Sequence, residues 1–503
     1  MERSSVGATT ASAITLPIDI LIIIIESLDL KDLTNLSYTC KLLHAIVNDF
    51  GWSIILRQHE RQSFTLHSSR SRWSSLAQVR YNALSDRAWS RAKFIARPLS
   101  RPWPGKLQPV LAVSVSRLLV AAGRIIYSYG VQDPLIEGCG TRLVFQGSYA
   151  LTLGRGLPER DITTIAFLPD AGEDRTLSLG FEDGCVEQVY LPPQDKLHNR
   201  QRITIERAPD TALHYHNGYV VESVSCSRNT LLSLSQWGTI SLTDLSSPPL
   251  SPTRADLGVR SWTSHLCMSA STPYAAFGTT SSTPLSLHYI TPYGLSPIPS
   301  IALHSFKPPP SAVYGITCAS PSSPLGSSDQ IIVSGWYDGA VRIHDLRASD
   351  HSQRATSSTP TSSPTPTTLR PVLTLQDPWS PEPVYSVSCG GGSASFVAAG
   401  TARHSVVAFW DVRHPARGWS VHAPGNDSSP VYSIVLESSR LFGATQSRPF
   451  VYDFGPGVAR DTYPSIVLSG AGRRGSMEDR LKLKSNGIGY QVSKYSHSRT
   501  GIL

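Results

Sequence analysis

A 503-residue chain with 40% apolar and 16% charged residues is long enough for two or more globular domains, and its composition is not that of a disordered or fibrous protein. Its net charge of +8 is unevenly placed: residues 1–56 carry −3, 57–106 carry +9, 107–459 carry −3 and 460–503 carry +5. Basic character therefore belongs to a connecting segment and a tail, and a nucleic-acid-binding domain is not expected.

The first elements are helical. Pro17 suits a first helical turn after a capping Thr15, and the run Ile18 to Leu28 follows. Ile20, Leu21, Ile24 and Leu28 share one face, while Ile22, Ile23 and Ile25 extend the apolar surface almost all round. A short helix of that kind needs burial from more than one direction. The run is bounded by Pro17 and Asp19 before and Glu26 after, too short to cross a bilayer and without the flanks of a signal peptide. A second short helix starts at Asp32 with Leu33 and Leu36, and a third runs from Thr39 to about Asp49. Three helices in about forty residues make a core too small to stand alone.

The segment Leu16 to Trp52 closely resembles an F-box in its opening Leu16–Pro17, Ile24, Leu28, Asp32–Leu33, Leu36, Cys40–Lys41 and closing Trp52. It departs from the family pattern at Ile18, Ile23, Leu30, Thr39 and Leu43. The resemblance implies docking on the Skp adaptor, and through it a cullin, of an SCF-type ubiquitin ligase. It also implies that Leu16, Pro17, Ile20, Ile24, Leu33 and Leu36 contribute to that interface. The module is assigned to residues 15–56.

Residues 57–106, with Trp73, Trp89, Leu76, Val79, Leu84 and Phe94 among many arginines, read as a helical connector holding the first module at a fixed distance. From 107 the texture changes to short apolar stretches divided by Gly, Pro, Ser and Asp. Near-copies appear at Pro383–Val387, Pro430–Ile434 and Ala312–Ile316. The unit Ile331 to Arg347 contains an Asp338–Gly339 hairpin turn, and parallel units run from Thr176, Thr230 and Phe396. Seven starts emerge, near Val110, Ile162, Val221, His265, Ala312, Val384 and Val431. These units, one with Trp410–Asp411, resemble WD-repeat blades, which implies a mainly β fold: a seven-bladed β-propeller over 107–460. Trp103–Gln108 or Thr462–Leu468 could supply the strand that closes the ring. The Ser/Thr/Pro-rich stretch 349–371 reads as a disordered insertion, and the basic tail 461–503 as partly disordered.

No phosphate loop, nucleophile elbow or zinc-spaced Cys/His set is present, so no catalytic, cofactor or metal site is expected. The seven scattered cysteines, with no C-x-x-C pair, read as reduced thiols in the cytoplasm or nucleus. His214 and His216 read as surface residues, and Gly390–Gly392 as a hairpin turn. A propeller binds through loops at one end of its channel. That places Phe181, Trp237, Trp336, Tyr337 and Arg403 as candidates for holding a protein substrate. Arg124, Arg228, Arg342 and Arg403 are available for a phosphorylated motif. The reading is a non-catalytic substrate receptor of an SCF-type ligase. The alternatives are a scaffold that meets no adaptor, and a nucleic-acid or phosphoinositide binder using the basic linker and tail.

Overall fold

A computed structural model describes residues 16–498 except 135, 153–159, 194–201, 207–211, 247–251, 304–310, 327, 349–365, 426–427 and 467–480. Thr15, expected to cap the first helix, lies outside the described residues. Helices α1 (Ile18–Glu26), α2 (Leu30–Ser37), α3 (Lys41–Ile46) and α4 (Trp52–Gln58) form the N-terminal module. Asp29 caps α2 by accepting from the Asp32 N–H at 2.8 Å, so this helix starts two residues earlier than expected. The third helix also differs from expectation. It passes through a π-helical turn at Val47–Gly51 directly into α4. Gly51 is the reason the turn can close, since a Cβ there would lie 3.0 Å from the Leu33 side chain.

Helices α5 (His67–Arg72) and α6 (Ser75–Ser90) follow, and then the strand Ile95–Pro98. That strand pairs antiparallel with Pro449–Asp453 and becomes the outermost strand of the last blade. Ring closure therefore comes from neither of the two segments expected, and the 57–106 segment ends inside the propeller. The innermost strands of the seven blades begin at Val110, Ile162, Val221, Ser261, Val313, Val384 and Val431. Each packs beside the next, and Val431–Leu436 packs beside Val110–Val113, which closes a seven-bladed ring.

The repeat has a packing logic. Second strands carry glycine at Gly180, Gly278, Gly335 and Gly400. A Cβ on Gly335 would lie 2.5 Å from the Val384 side chain, and one on Gly400 2.8 Å from that of Val431. The glycine next to the end of one blade's second strand is where the first valine of the next blade lands.

Three outer edges gain an extra strand. Arg202–Glu206, between the third and fourth strands of blade two, lies parallel on blade one. Thr367–Leu369, in the same place in blade five, lies parallel on blade four. Thus the stretch expected to be disordered ends in a β-strand, while 349–365 lie outside the described residues. Likewise Lys494–Ser496 of the tail pairs with Trp419–Val421 as a fifth strand of blade six. Covering an open edge in this way removes a template for pairing with other chains.

Candidate partner-binding surfaces

Helix α1 has more apolar residues than one face can bury. Leu21 and Ile25, four apart, turn inward against Leu33, Leu43, Ile46, Val47, Trp52 and Ile55. Ile18, Ile20, Ile23 and Ile24 are left exposed, Ile23 at 61%. Tyr38, Leu42 and Phe50 are exposed on the same module. Nothing among the described residues covers them. The core of the module continues into the connector through Val79 of α6.

The connector is welded to one end of the propeller. The Trp89 ring stacks on Phe454, and its Nε1–H donates to the Ser438 carbonyl at 2.9 Å. Tyr81 bonds Ser439 at 2.9 Å, and Arg70 donates to Ser438 Oγ at 2.9 Å. Arg61 pairs with Asp86 and donates to the Gly392 carbonyl at 3.0 Å. Arg72 pairs with Asp133, and Arg97 donates to the Ile488 carbonyl at 2.6 Å. Four arginines of the basic segment are thereby committed within the chain. Beneath them the fully buried Arg440 pairs with Asp453 at 3.1 Å and donates to Thr141 Oγ1 at 2.7 Å. Burial alone would lower the Arg440 pKa, but the facing Tyr463, Asp453, Tyr81 and Glu437 keep it raised.

The propeller partners Ser438, Ser439, Gly392, Asp133 and Thr141 sit in turns between first and second strands, or between third and fourth. In an antiparallel blade those turns share one end, the lower face. Turns between second and third strands, and the links between blades, occupy the upper face.

At the upper end of the channel the inner strands share one irregularity. In blades two to seven the pairing with the second strand skips one residue, a β-bulge, and the skipped residues are Thr163, Glu222, Trp262, Tyr314, Tyr385 and Tyr432. Bulges re-aim side chains, and all six line a recess of about 430 Å³ at the channel mouth. The aromatic four form a continuous arc. Ring centroids are 4.7 Å apart from Trp262 to Tyr314, 5.3 Å from Tyr314 to Tyr385 and 5.9 Å from Tyr385 to Tyr432. Tyr337 adds a fifth ring 6.0 Å from Tyr314. The Arg260 guanidinium lies 3.9 Å over Trp262 and pairs with Glu222 at 2.7 Å. Burial raises the pKa of Tyr314 and of Tyr432, so both remain protonated donors at neutral pH.

Comparison with known proteins meets the sequence at the helical module. Residues 14–52 match the F-box domain. No curated protein matches the chain. The crystal structure of the computationally designed Ika8 protein is similar over 71% of this chain and 99% of that one, at 15% identity and a TM-score of 0.41. The chain combines an F-box domain with a seven-bladed propeller. Among the described residues no group of three or more His, Cys, Asp or Glu could hold a metal ion.

Of the F-box residues expected at an interface, Pro17, Ile20 and Ile24 are exposed and Leu16 and Leu36 half-buried. Leu33 is a correction: it is fully buried at the centre of the F-box core, because α2 turns that face onto α1 and the Gly51 turn. On the propeller, Trp237, Tyr337 and Arg403 are exposed on upper-face turns. Phe181 and Trp336 are not on the rim. Each ends a second strand, where the side chain points between blades. Arg160 lies over Phe181 at 4.7 Å, and Arg342, held by Asp338, lies over Trp336 at 4.5 Å. The four candidate arginines do not converge, since Arg342 is buried and Arg228 occupies a lower-face turn. His216 is buried and bonded to Ser233 at 2.7 Å, not at the surface as expected. The arc of Trp262, Tyr314, Tyr385 and Tyr432 was missed although its signal was in the repeat. Three near-copies place Tyr at one position, after the buried valine, where alternation alone reads it as part of the strand.

Proposed function

We propose that this protein is a substrate receptor of an SCF-type ubiquitin ligase. Its F-box would dock on a Skp adaptor and thereby on a cullin, and its propeller would hold a protein substrate. The observation that carries the reading is the uncovered isoleucine surface of α1 on a module locked to the lower face, while the aromatic mouth opens on the upper face. An adaptor at one end and a substrate at the other can be bound together. The rigid connector then fixes their separation, and fixed separation is what raises the effective concentration of a substrate near a ubiquitin-charged enzyme. Such a receptor would work in the cytoplasm or nucleus, where its seven unpaired cysteines stay reduced.

The test is a pull-down of the full-length chain against a Skp adaptor, with Ile24→Asp and Pro17→Ala variants. Strong binding weakened by both substitutions, with the propeller still folded, supports the reading. No binding by the wild-type chain sinks it.

A further inference from the structure

The channel mouth has a composition that selects among ligands. Glu222, the charged residue lining the recess, is neutralised by Arg260 at 2.7 Å. A phosphorylated peptide would need converging arginines, and among the described residues no arginine lines the recess. A cationic side chain would find Trp262 already covered by the guanidinium of Arg260. What is unspent is neutral. The Tyr432 hydroxyl is held by Gln446, whereas no group among the described residues takes the hydroxyls of Tyr314 and Tyr385. The mouth therefore offers flat ring surface and hydrogen-bond donors, which suits a ligand made of apolar rings and bare acceptors.

We propose that the mouth binds an uncharged, extended, proline-containing peptide segment of the partner. Prolines pack on the arc from Trp262 to Tyr432, and peptide carbonyls accept from Tyr314 and Tyr385. A polyproline II strand has no internal hydrogen bonds, so its carbonyls are free, and proline supplies no N–H that would need an acceptor. Its threefold repeat returns a side chain to the same side roughly every 9 Å. That is close to the two successive ring steps of 4.7 and 5.3 Å that lead from Trp262 through Tyr314 to Tyr385. Docking on aromatic-lined grooves is the physical mode by which such strands are recognised. The inference rests on the propeller holding a partner, and adaptor docking by the F-box plays no part in it.

The experiment is fluorescence anisotropy of the full-length chain with a labelled decaproline probe. Matched probes carry Gly-Ser repeats, arginines or phosphoserines. Saturable binding of decaproline, about tenfold tighter than the other three, is expected. Tyr314→Ala and Tyr385→Ala should each weaken it about tenfold, and Tyr314→Phe and Tyr385→Phe about threefold, because the rings remain. Trp237→Ala and Ile24→Asp should leave it within about twofold, which separates failure here from failure of adaptor docking. The phenylalanine variants lose one oxygen each and keep the test valid if an alanine variant does not fold. Absence of decaproline binding by the wild-type chain, preference for the arginine or phosphoserine probe, or indifference to the tyrosine substitutions would overturn the proposal.

Discussion

Thr65 donates both its backbone N–H and its hydroxyl to the carboxylate of Glu437, at 2.9 and 2.6 Å. These residues are 372 apart in sequence, one in the connector and one in the first turn of the last blade. Glu437 is fully buried, and burial pushes its pKa up against the opposing pull of Thr65, Arg440 and Arg70. The joint between F-box and propeller is thus a sealed polar network around Arg440, Asp453 and Glu437. Glu437→Ala leaves the buried Arg440 and the half-buried Arg70 with one carboxylate fewer, and should destabilise the protein by about 3 kcal/mol or more. The midpoint of urea unfolding reads this directly. An unchanged midpoint would mean that the joint contributes little.

The same joint has an apolar half. Trp89 and Phe454 stack with centroids 3.5 Å apart and planes 10° from parallel. Gly391, at φ +68°, lies so close that a Cβ would meet the Trp89 ring at 3.0 Å. Trp89→Ala should cost about 3–5 kcal/mol, and Gly391→Ala about 1–3 kcal/mol from backbone strain and contact together. In the Trp89→Ala background the glycine substitution should cost less, because one wall of the clash has gone. A double-mutant cycle by chemical denaturation measures that coupling, and strict additivity would contradict the packing described.

Within the F-box, two positions that look alike in sequence should behave differently. Leu33→Asp puts a charge into the centre of a small core and should unfold the module, seen as lost helical circular dichroism and rapid hydrogen exchange over residues 18–58. Ile24→Asp lies on the exposed face and should change stability by less than about 0.5 kcal/mol while weakening adaptor binding about tenfold or more.

The contrast between Leu33 and Ile24 marks how far the sequence could be read. Blade starts were legible because a buried Val or Ile followed by alternation recurs at Ile162, Val221, Val313, Val384 and Val431, and so was the F-box, because its apolar positions are closely spaced. Whether an apolar residue faces the core or a partner was not legible, since α1 has isoleucine on every side. The closing strand Ile95–Pro98 was hidden because its partner lies some 350 residues away and its own four residues carry no period. The Trp336 and Phe181 side chains were misplaced by a single residue of register, which in a strand reverses the face. The aromatic arc was hidden for a related reason, as a bulge breaks the alternation that sequence reading relies on.

Stability should fall on mild acidification. Burial, reinforced by Arg254, pushes the His216 pKa down to about 4, and burial pushes that of His265 down to about 4 as well. Between about 6.5 and 4 the unfolded chain binds protons at these histidines and the folded chain does not. The contribution is therefore whole above 6.5 and is lost as pH falls towards 4. For His216 the loss between pH 7 and pH 5 is about 2 kcal/mol. Glu437, with its raised pKa, works in the opposite direction over the range above its unfolded value. The histidine share is isolated by His216→Asn, whose unfolding midpoint should depend less on pH over this range than that of the wild type. Equal slopes would show that folding does not lower the His216 pKa.

The tail supplies the last test. His497 donates from Nε2 to Ser420 Oγ at 2.8 Å, and Ser420 donates to Asp377 Oδ2 at 2.6 Å, as does the Tyr495 hydroxyl at 2.8 Å. The residue types are those of a hydrolase triad, but the geometry is not. Ser420 is fully buried, and Asp377 lies on the side of Nε2, where a triad would have it on Nδ1. The cluster instead fastens the strand Lys494–Ser496 over the edge of blade six. Ending the chain at residue 480 would remove Tyr495 and His497 from a buried carboxylate and bare the Trp419–His422 edge. That truncation should lower the free energy of unfolding by about 2 kcal/mol or more and promote self-association on size exclusion. Asp377→Asn should recover part of the lost stability in the truncated chain, because it removes the uncompensated charge, yet cost stability in the intact one. A substitution with the same sign in both backgrounds would mean that the tail does not serve Asp377.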